Sequence, residues 1–399
     1  MKKPSLVIIF LTVFIDLIGF GIVLPLLPMY STRFGAEGFW IGCIIASFSI
    51  MQFIFAPWWG RLSDRIGRRP VLLISNAGSA CSYAIFALAA RYSGDTGLLL
   101  LILSRVFAGI CGANLSVASA YIADITPVET RSKSMGLIGM AFGLGFILGP
   151  VLGALSAGWF GLSGPGWVAA GFCLFNFLLG CVILVESRKP GSEQAPKRPR
   201  AKQWLHTLAK PKVGFLIGVY FLATFCFTCF ESTFSLFLEK SPYFGYSEKH
   251  VGYLFAYCGI VSALVQGGGV GRLIKRFGEP KLIAWSLVVV AVSLGMLPFM
   301  TSLGGLLLGL GLFAAGSGIN RPPTFGLISI SSSASEQGEA LGVAQSAGSL
   351  ARIIGPLFAT SFYKIKPAAP YIACAIIAFI AGCIAWRYLC KPSASNQSP

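Results

Sequence analysis

Apolar residues run along this chain in long blocks, not in the short alternations of strands or the one-sided stripes of surface helices. Twelve blocks reach or exceed the roughly 20 residues that a helix needs to cross a bilayer. They cover 6–30, 40–59, 71–91, 98–122, 134–158, 166–186, 213–238, 250–271, 281–300, 303–330, 339–362 and 368–389. The pattern predicts an all-α integral membrane protein of twelve transmembrane helices. The first block follows Met1-Lys2-Lys3 directly. It is longer than a signal peptide, carries Asp16 and lacks a small-residue cleavage site, so it reads as a retained helix. One connection is long: residues 187–212, SRKPGSEQAPKRPRAKQWLHTLAKPK, are polar, basic and proline-bearing. They predict a cytoplasmic linker between two six-helix bundles, 1–186 and 213–399. The later stretch QWLHTLAK reads either as an amphipathic helix on the membrane surface or as a plain tether.

Composition strengthens that reading. Of 399 residues, 55% are hydrophobic and 11% charged, with a mean hydropathy of +0.76. A soluble domain carries about 25% charged residues. An ordinary soluble enzyme, a disordered scaffold and a nucleic-acid-binding domain are thereby excluded. The net charge of +17 is topological. Of 31 Lys and Arg, 22 fall at the termini, in the even-numbered loops or in the linker, 6 fall in the opposite loops and 3 lie in or near the spans. The positive-inside rule then places both termini and the linker in the cytoplasm of a cell inner-membrane, multi-pass protein, with the bilayer and its anionic headgroups as surroundings and no nucleic acid as partner. The 11 cysteines lie almost all in apolar runs. They predict packing, not a disulfide framework, and this includes Cys226 and Cys229, a CxxC inside FLATFCFTCF. The two histidines, His206 and His250, lie in loops and predict no metal centre.

The two halves repeat each other. GRLSDRIGRRP at 60–70 is echoed by GRLIKRFGEPK at 271–281, and GLGFILGP ending at Pro150 by SLARIIGP ending at Pro356. Such a repeat predicts a transporter with its site between halves near mid-membrane.

Several motifs carry a family resemblance. They are Asp16-Leu17-Ile18-Gly19-Phe20-Gly21 followed by Leu24-Pro25-Leu26-Leu27-Pro28; the stretch 51–73, MQFIFAPWWGRLSDRIGRRPVLL; Arg105 with Gly109 and Gly112; Asp124-Ile125-Thr126-Pro127 with Arg131; and Gly145, Gly149, Pro150 and Gly153. Over its whole length the chain resembles major facilitator superfamily transporters, in particular drug:proton antiporters and above all tetracycline efflux proteins. The resemblance implies alternating access without a cofactor, driven by a proton gradient. It implies that Asp64, Arg65, Arg68 and Arg131, with Asp124, gate the cytoplasmic side when the transporter opens outward. It makes Gly149 and Pro150 part of the signature that controls rocking, and Arg105 a packing and proton-relay residue. The chain departs from tetracycline exporters in its third span, where SNAGSACSYAIFALAA carries no acid.

Charges at membrane depth are the strongest site candidates. Asp16, Arg105, Glu231 and Arg352 each cost about 2.5–3.5 kcal/mol at a helix centre, so four exposed to lipid would cost about 10–14 kcal/mol. They must face a cavity, pair or, for the acids, become neutral. Asp16, Glu231 and Arg105 are the proton-coupling candidates. Arg352, Glu231, Asp16, Gln52, Asn114 and Gln345 are the substrate-binding candidates. Helical spacing places Gln345, Ser349 and Arg352 on one face, and Thr224, Thr228 and Glu231 on another. Asn320-Arg321-Pro322-Pro323 predicts a break in the tenth helix, with Arg321 at the cavity or at the cytoplasmic end. The reading is a monomeric, proton-coupled exporter of small amphipathic molecules. The alternative cargo is an organic anion or lipid held by Arg352. A membrane enzyme lacks a nucleophile, metal ligands or a carboxylate pair, and a channel does not require the repeat.

Overall fold

Inside a bilayer every backbone polar group must be satisfied within the protein, so an apolar segment folds as a helix. Each predicted block does so in the computed structural model, which describes residues 4–112, 114–187, 200–332 and 336–390. The helices are α1 (Leu6–Val23), which runs through a 3₁₀ turn at Leu24–Leu26 into α2 (Leu27–Arg33), then α3 (Phe39–Ile66), α4 (Arg68–Ala89), α5 (Gly94–Cys111), α6 (Asn114–Ile125), α7 (Val128–Phe160) and α8 (Gly164–Ile183). After the linker come α9 (Arg200–Leu208), α10 (Pro211–Lys240), α11 (Glu248–Leu264), α12 (Val270–Phe277), α13 (Glu279–Met296), α14 (Leu303–Ile330), α15 (Gln337–Ile365) and α16 (Ala369–Leu389).

Ten stretches among the described residues are long and apolar enough to cross a membrane. One of them, Leu137–Ile183, covers two predicted blocks, which the turn Gly161–Ser163 separates. α15 is not among the ten, because Gln345, Ser349 and Arg352 lower its hydropathy. With these two adjustments the helices correspond block by block to the predicted spans.

Clustering of contacts divides the chain into two compact units. The first is Met1–Pro196 with Glu231–Gly259 and Pro356–Lys364; the second is Lys197–Phe230, Ile260–Gly355 and Ile365–Pro399. The first unit is organised around α1 and α7. A Cβ on Gly149 would lie 2.5–2.6 Å from Gly21 backbone atoms, one on Gly145 2.9 Å from Leu17 Cβ, and one on Gly153 2.8 Å from the Ile22 carbonyl oxygen. Glycine at four-residue spacing therefore brings two backbones into direct contact. Pro150 lies inside α7 without ending it.

In the second unit Val213, Leu216 and Tyr220 of α10 pack with Ala340, Val343 and Ala347 of α15. The predicted break in the tenth helix does not occur: α14 runs unbroken through Pro322 and Pro323. Beside the prolines Thr324 Oγ1 donates to the Asn320 carbonyl at 2.7 Å, and Asn320 Nδ2 ties α14 to Ser286 Oγ of α13 at 2.9 Å. The late linker stretch is helical in α9. Trp204 packs on the core of this unit and Thr207 is buried. Just beyond the helix Lys210 pairs with Glu336 at 2.6 Å.

The α1–α7 contact predicts that Gly149→Ala lowers the thermal unfolding temperature of the purified protein. Its cost is the roughly 1–3 kcal/mol of an overpacked core. Gly143→Ala, on the same helix with open space around it, leaves that temperature unchanged.

Candidate functional site

The first charged cluster lies on α1, α4, α5 and α8. Gly19 in α1 lets Tyr83 of α4 and Cys173 of α8 approach closely: a Cβ there would lie 3.1 Å from Tyr83 Cε2 and 3.2 Å from Cys173 Sγ. Asp16, one turn earlier, acts electrostatically on both the Tyr83 hydroxyl and the Cys173 thiol. Arg105 is 2% exposed, and its guanidinium carbon lies 5.5 Å from the Tyr83 ring centre and 5.4 Å from that of Phe86. Its Nε reaches Ser104 Oγ at 3.4 Å, and its Nη2 is buried with no hydrogen-bond partner among the described residues. Two aromatic faces therefore hold this cation, an interaction worth about 2 kcal/mol when desolvated. Tyr83 interacts with both Asp16 and Arg105, and it stands in the very span where an acid is missing. The sequence signal for it was a phenol in an apolar run, where the hydroxyl needs company.

Gln52 has a structural task. Its Nε2 donates to the Gly112 carbonyl at 2.6 Å, Trp59 Nε1 donates to the Ile110 carbonyl at 2.6 Å, and Ser75 Oγ donates to the Cys111 carbonyl. Three consecutive carbonyls at the end of α5, which have no helical partner, thus receive side-chain donors from α3 and α4. The side chain of Asn114, at the start of α6, lies outside the described residues, as does that of Arg131.

The loop between α3 and α4 closes on Arg68. This buried guanidinium pairs with Asp64 at 2.8 Å and with Asp124 at 3.1 Å, and donates to Ser63 Oγ at 2.6 Å. Ser187 Oγ adds a donor to Asp124 at 3.0 Å. Gly67, at φ 102°, makes the turn that only glycine adopts freely. α4 then begins on a carboxylate: Glu186 accepts from the Arg68 and Arg69 backbone nitrogens at 2.8 and 3.1 Å. That is an anionic cap on a helix N-terminus. Sequence reasoning missed Glu186. Its signal was a lone acid closing the sixth apolar block, just ahead of the basic linker. Arg65 is exposed.

Glu231 lies inside α10 at 8% exposure, with Thr228, Ser232, Thr233 and Ser235 also buried. Thr228 Oγ1 lies 3.1 Å from the Thr224 and Phe225 carbonyls and 3.3 Å from the Ala351 carbonyl, so this part of the polar face serves α10–α15 packing. Cys229 Sγ donates to the Gly355 carbonyl at 3.4 Å and Cys226 Sγ to the Cys374 carbonyl at 3.6 Å, which gives the CxxC thiols packing partners. On α15 the predicted stripe is continuous. Arg352 Nη2 donates to Ser349 Oγ at 3.0 Å, and Ser349 Oγ donates to the Gln345 carbonyl at 3.1 Å. Tyr220 Oη lies 3.5 Å from Gln345 Oε1. Arg321 stacks on Phe325, one turn along α14, at 5.6 Å.

The Arg68 network predicts that Arg68→Gln leaves two acids without their cation and costs about 3–5 kcal/mol of stability. Arg65→Gln costs less than about 0.5 kcal/mol, as exposed substitutions do. Thermal unfolding of the two variants side by side makes the comparison.

The profile of the Major Facilitator Superfamily matches residues 9–270 and 220–399. The chain is 34% identical over 372 residues to the class C tetracycline resistance protein of Escherichia coli, covering 91% of this chain and 90% of that one. It is similar to the crystal structure of the human organic anion transporter MFSD10 (TETRAN), at TM-score 0.70 and 28% identity over 96% of this chain and 100% of that one. The crystal structure of a D-xylose-proton symporter has TM-score 0.76 at 17% identity over 99% of each chain, a likeness of fold alone.

Proposed function

The chain belongs to the Major Facilitator Superfamily, and on that premise we propose that it is a proton-coupled exporter of small amphipathic molecules working by alternating access. The family consists of multi-pass membrane transporters, not enzymes, and they need no cofactor. The observation that carries the finer reading is the placement of Glu231. A carboxyl group inside a 30-residue apolar helix, with threonine and serine hydroxyls buried around it, is costly as an ion and inexpensive as an acid. It takes up a proton when the site is dry and gives it up when cargo or water arrives. Asp16 is the second carrier, acting on Tyr83 and through it toward Arg105. Arg352 with Ser349 and Gln345 offers a forked cationic donor to the cargo.

The two bundles 1–186 and 213–399, joined by the linker 187–212, are the rocking halves. The face that carries the linker and most of the basic residues is cytoplasmic. Asp64, Arg68 and Asp124 form the cytoplasmic gate, and Gly149 and Pro150 of α7 carry the signature that controls rocking of one half on the other.

A second reading keeps the mechanism and changes the cargo to an organic anion. Arg352 favours it, and so does the likeness to a transporter described as an organic anion carrier. In proteoliposomes with an imposed pH gradient, uptake of a labelled panel of tetracycline, cationic dyes and aromatic carboxylates separates the two. Glu231→Gln reduces gradient-driven uptake to that of empty liposomes. Arg352→Ala abolishes carboxylate uptake alone under the second reading and spares the cations. Uptake that ignores the gradient and survives Glu231→Gln overturns the proton-coupled reading.

A further inference from the structure

The helix ends opposite the linker hold charged residues that the transport reading leaves unused, all within the first unit. Arg33 at the end of α2 is ion-paired with Glu248 at the start of α11, and Glu37 pairs with Lys364 of α15 at 3.1 Å. Beneath them three glycines bring helices of the two sequence halves into contact. A Cβ on Gly42 of α3 would lie 2.8 Å from Leu357 Cα, one on Gly252 of α11 2.8 Å from the Pro150 carbonyl oxygen, and one on Gly259 2.9 Å from Ile147 Cα. This end is closed.

Glu239, the penultimate residue of α10, sits at that closure. Its Oε2 is buried and has no hydrogen-bond partner among the described residues. The hydroxyl of Tyr363 on α15 is likewise buried and unpartnered. The groups that act on Glu239 come from every side: Arg33 from α2, Lys240 from its own helix, Glu248 from α11 and Tyr363 from α15. Tyr30 of α2 feels Arg33 and Glu248 in turn. The nearest cation on α2 is already engaged by Glu248.

We propose that Glu239 is a proton-binding site that locks this end of the transporter, protonated while the ends are packed and ionised once they part. A buried carboxyl oxygen without a donor is tolerated on a neutral acid and penalised on an anion. Separation of α2 from α11 breaks the Arg33–Glu248 pair, admits water and releases Arg33 toward the ionised Glu239. The closed state therefore binds the proton more tightly than the open state. By linkage, acid on that side favours closure and base favours opening. For its place in the cycle the inference rests on the proton-coupled reading above: a proton entering from the outer face returns the empty exporter. The chemistry of the lock does not depend on that reading.

Hydrogen–deuterium exchange of the purified full chain in nanodiscs, between pH 5 and 8 and corrected for the intrinsic pH dependence of exchange, tests it without cargo or gradient. Protection of peptides covering 34–42 and 241–252 rises as pH falls, by up to about tenfold per pH unit for one linked proton. In Glu239→Gln it is high and flat across the range, and in Glu239→Ala, which serves if the first variant does not fold, it is flat as well. Glu248→Gln lowers protection throughout and flattens the slope, because it frees Arg33 toward Glu239 in the packed state. A wild-type protein without the slope overturns the proposal; so does a Glu239 variant that retains it, or a Glu248→Gln variant that keeps it in full. A failure here leaves the Glu231 reading intact, and a failure of Glu231→Gln in transport leaves this one intact.

Discussion

A charge in an apolar interior must be paired, shared with an aromatic face or neutralised, and much of this molecule follows from that constraint. Arg105 is the clearest case. It is buried among helices that cross the bilayer, and its cation rests on the rings of Tyr83 and Phe86. Arg68 meets the same demand with Asp64 and Asp124, and Glu186 meets it by capping α4. Each solution fixes the relation of two or three helices, so charge placement and helix packing are one problem. The carboxyls of Glu231 and Glu239 have the further option of becoming neutral, and that option is what makes an acid in such a place a means of coupling.

Glycine supplies the geometry that charge then uses. α1 and α7 meet backbone to backbone at Gly21 and Gly149, α3 meets α15 at Gly42, and α11 meets α7 at Gly252 and Gly259. Between helices of different sequence halves, contacts without side chains carry little interdigitation to undo, which suits surfaces that must part and meet again in alternating access. The ion pairs Arg33–Glu248 and Glu37–Lys364 lie at the rim of one such surface, where water reaches them and their strength is modest.

The helical spans were legible in the sequence because apolar length is a strong signal, and the closeness of Asp64 to an arginine because both stand in one distinctive loop motif. Partners were not legible. Nothing in the spacing of Tyr83 and Arg105, or of Arg68 and Glu186, tells that they meet, since contact between distant helices depends on tilt and rotation. Gln52 and Thr228 looked like cavity residues, yet both bond backbone carbonyls, because a polar side chain in a span serves freed backbone as readily as it serves a ligand. Pro322-Pro323 looked like a break and is not one: α14 runs through it, tied to α13 by Asn320 and Ser286. The Arg33–Glu248 pair went unread because isolated charges between apolar blocks belong to no motif.

The central claim is that cargo and proton compete through Glu231. Proton release in energised inverted membrane vesicles, followed with a ΔpH-sensitive dye, tests it most directly. The account predicts that adding a transported amphipathic compound dissipates the pH gradient in vesicles with the wild-type chain and leaves it unchanged with Glu231→Gln. Transport of that compound by the wild-type chain with no movement of the gradient would contradict it.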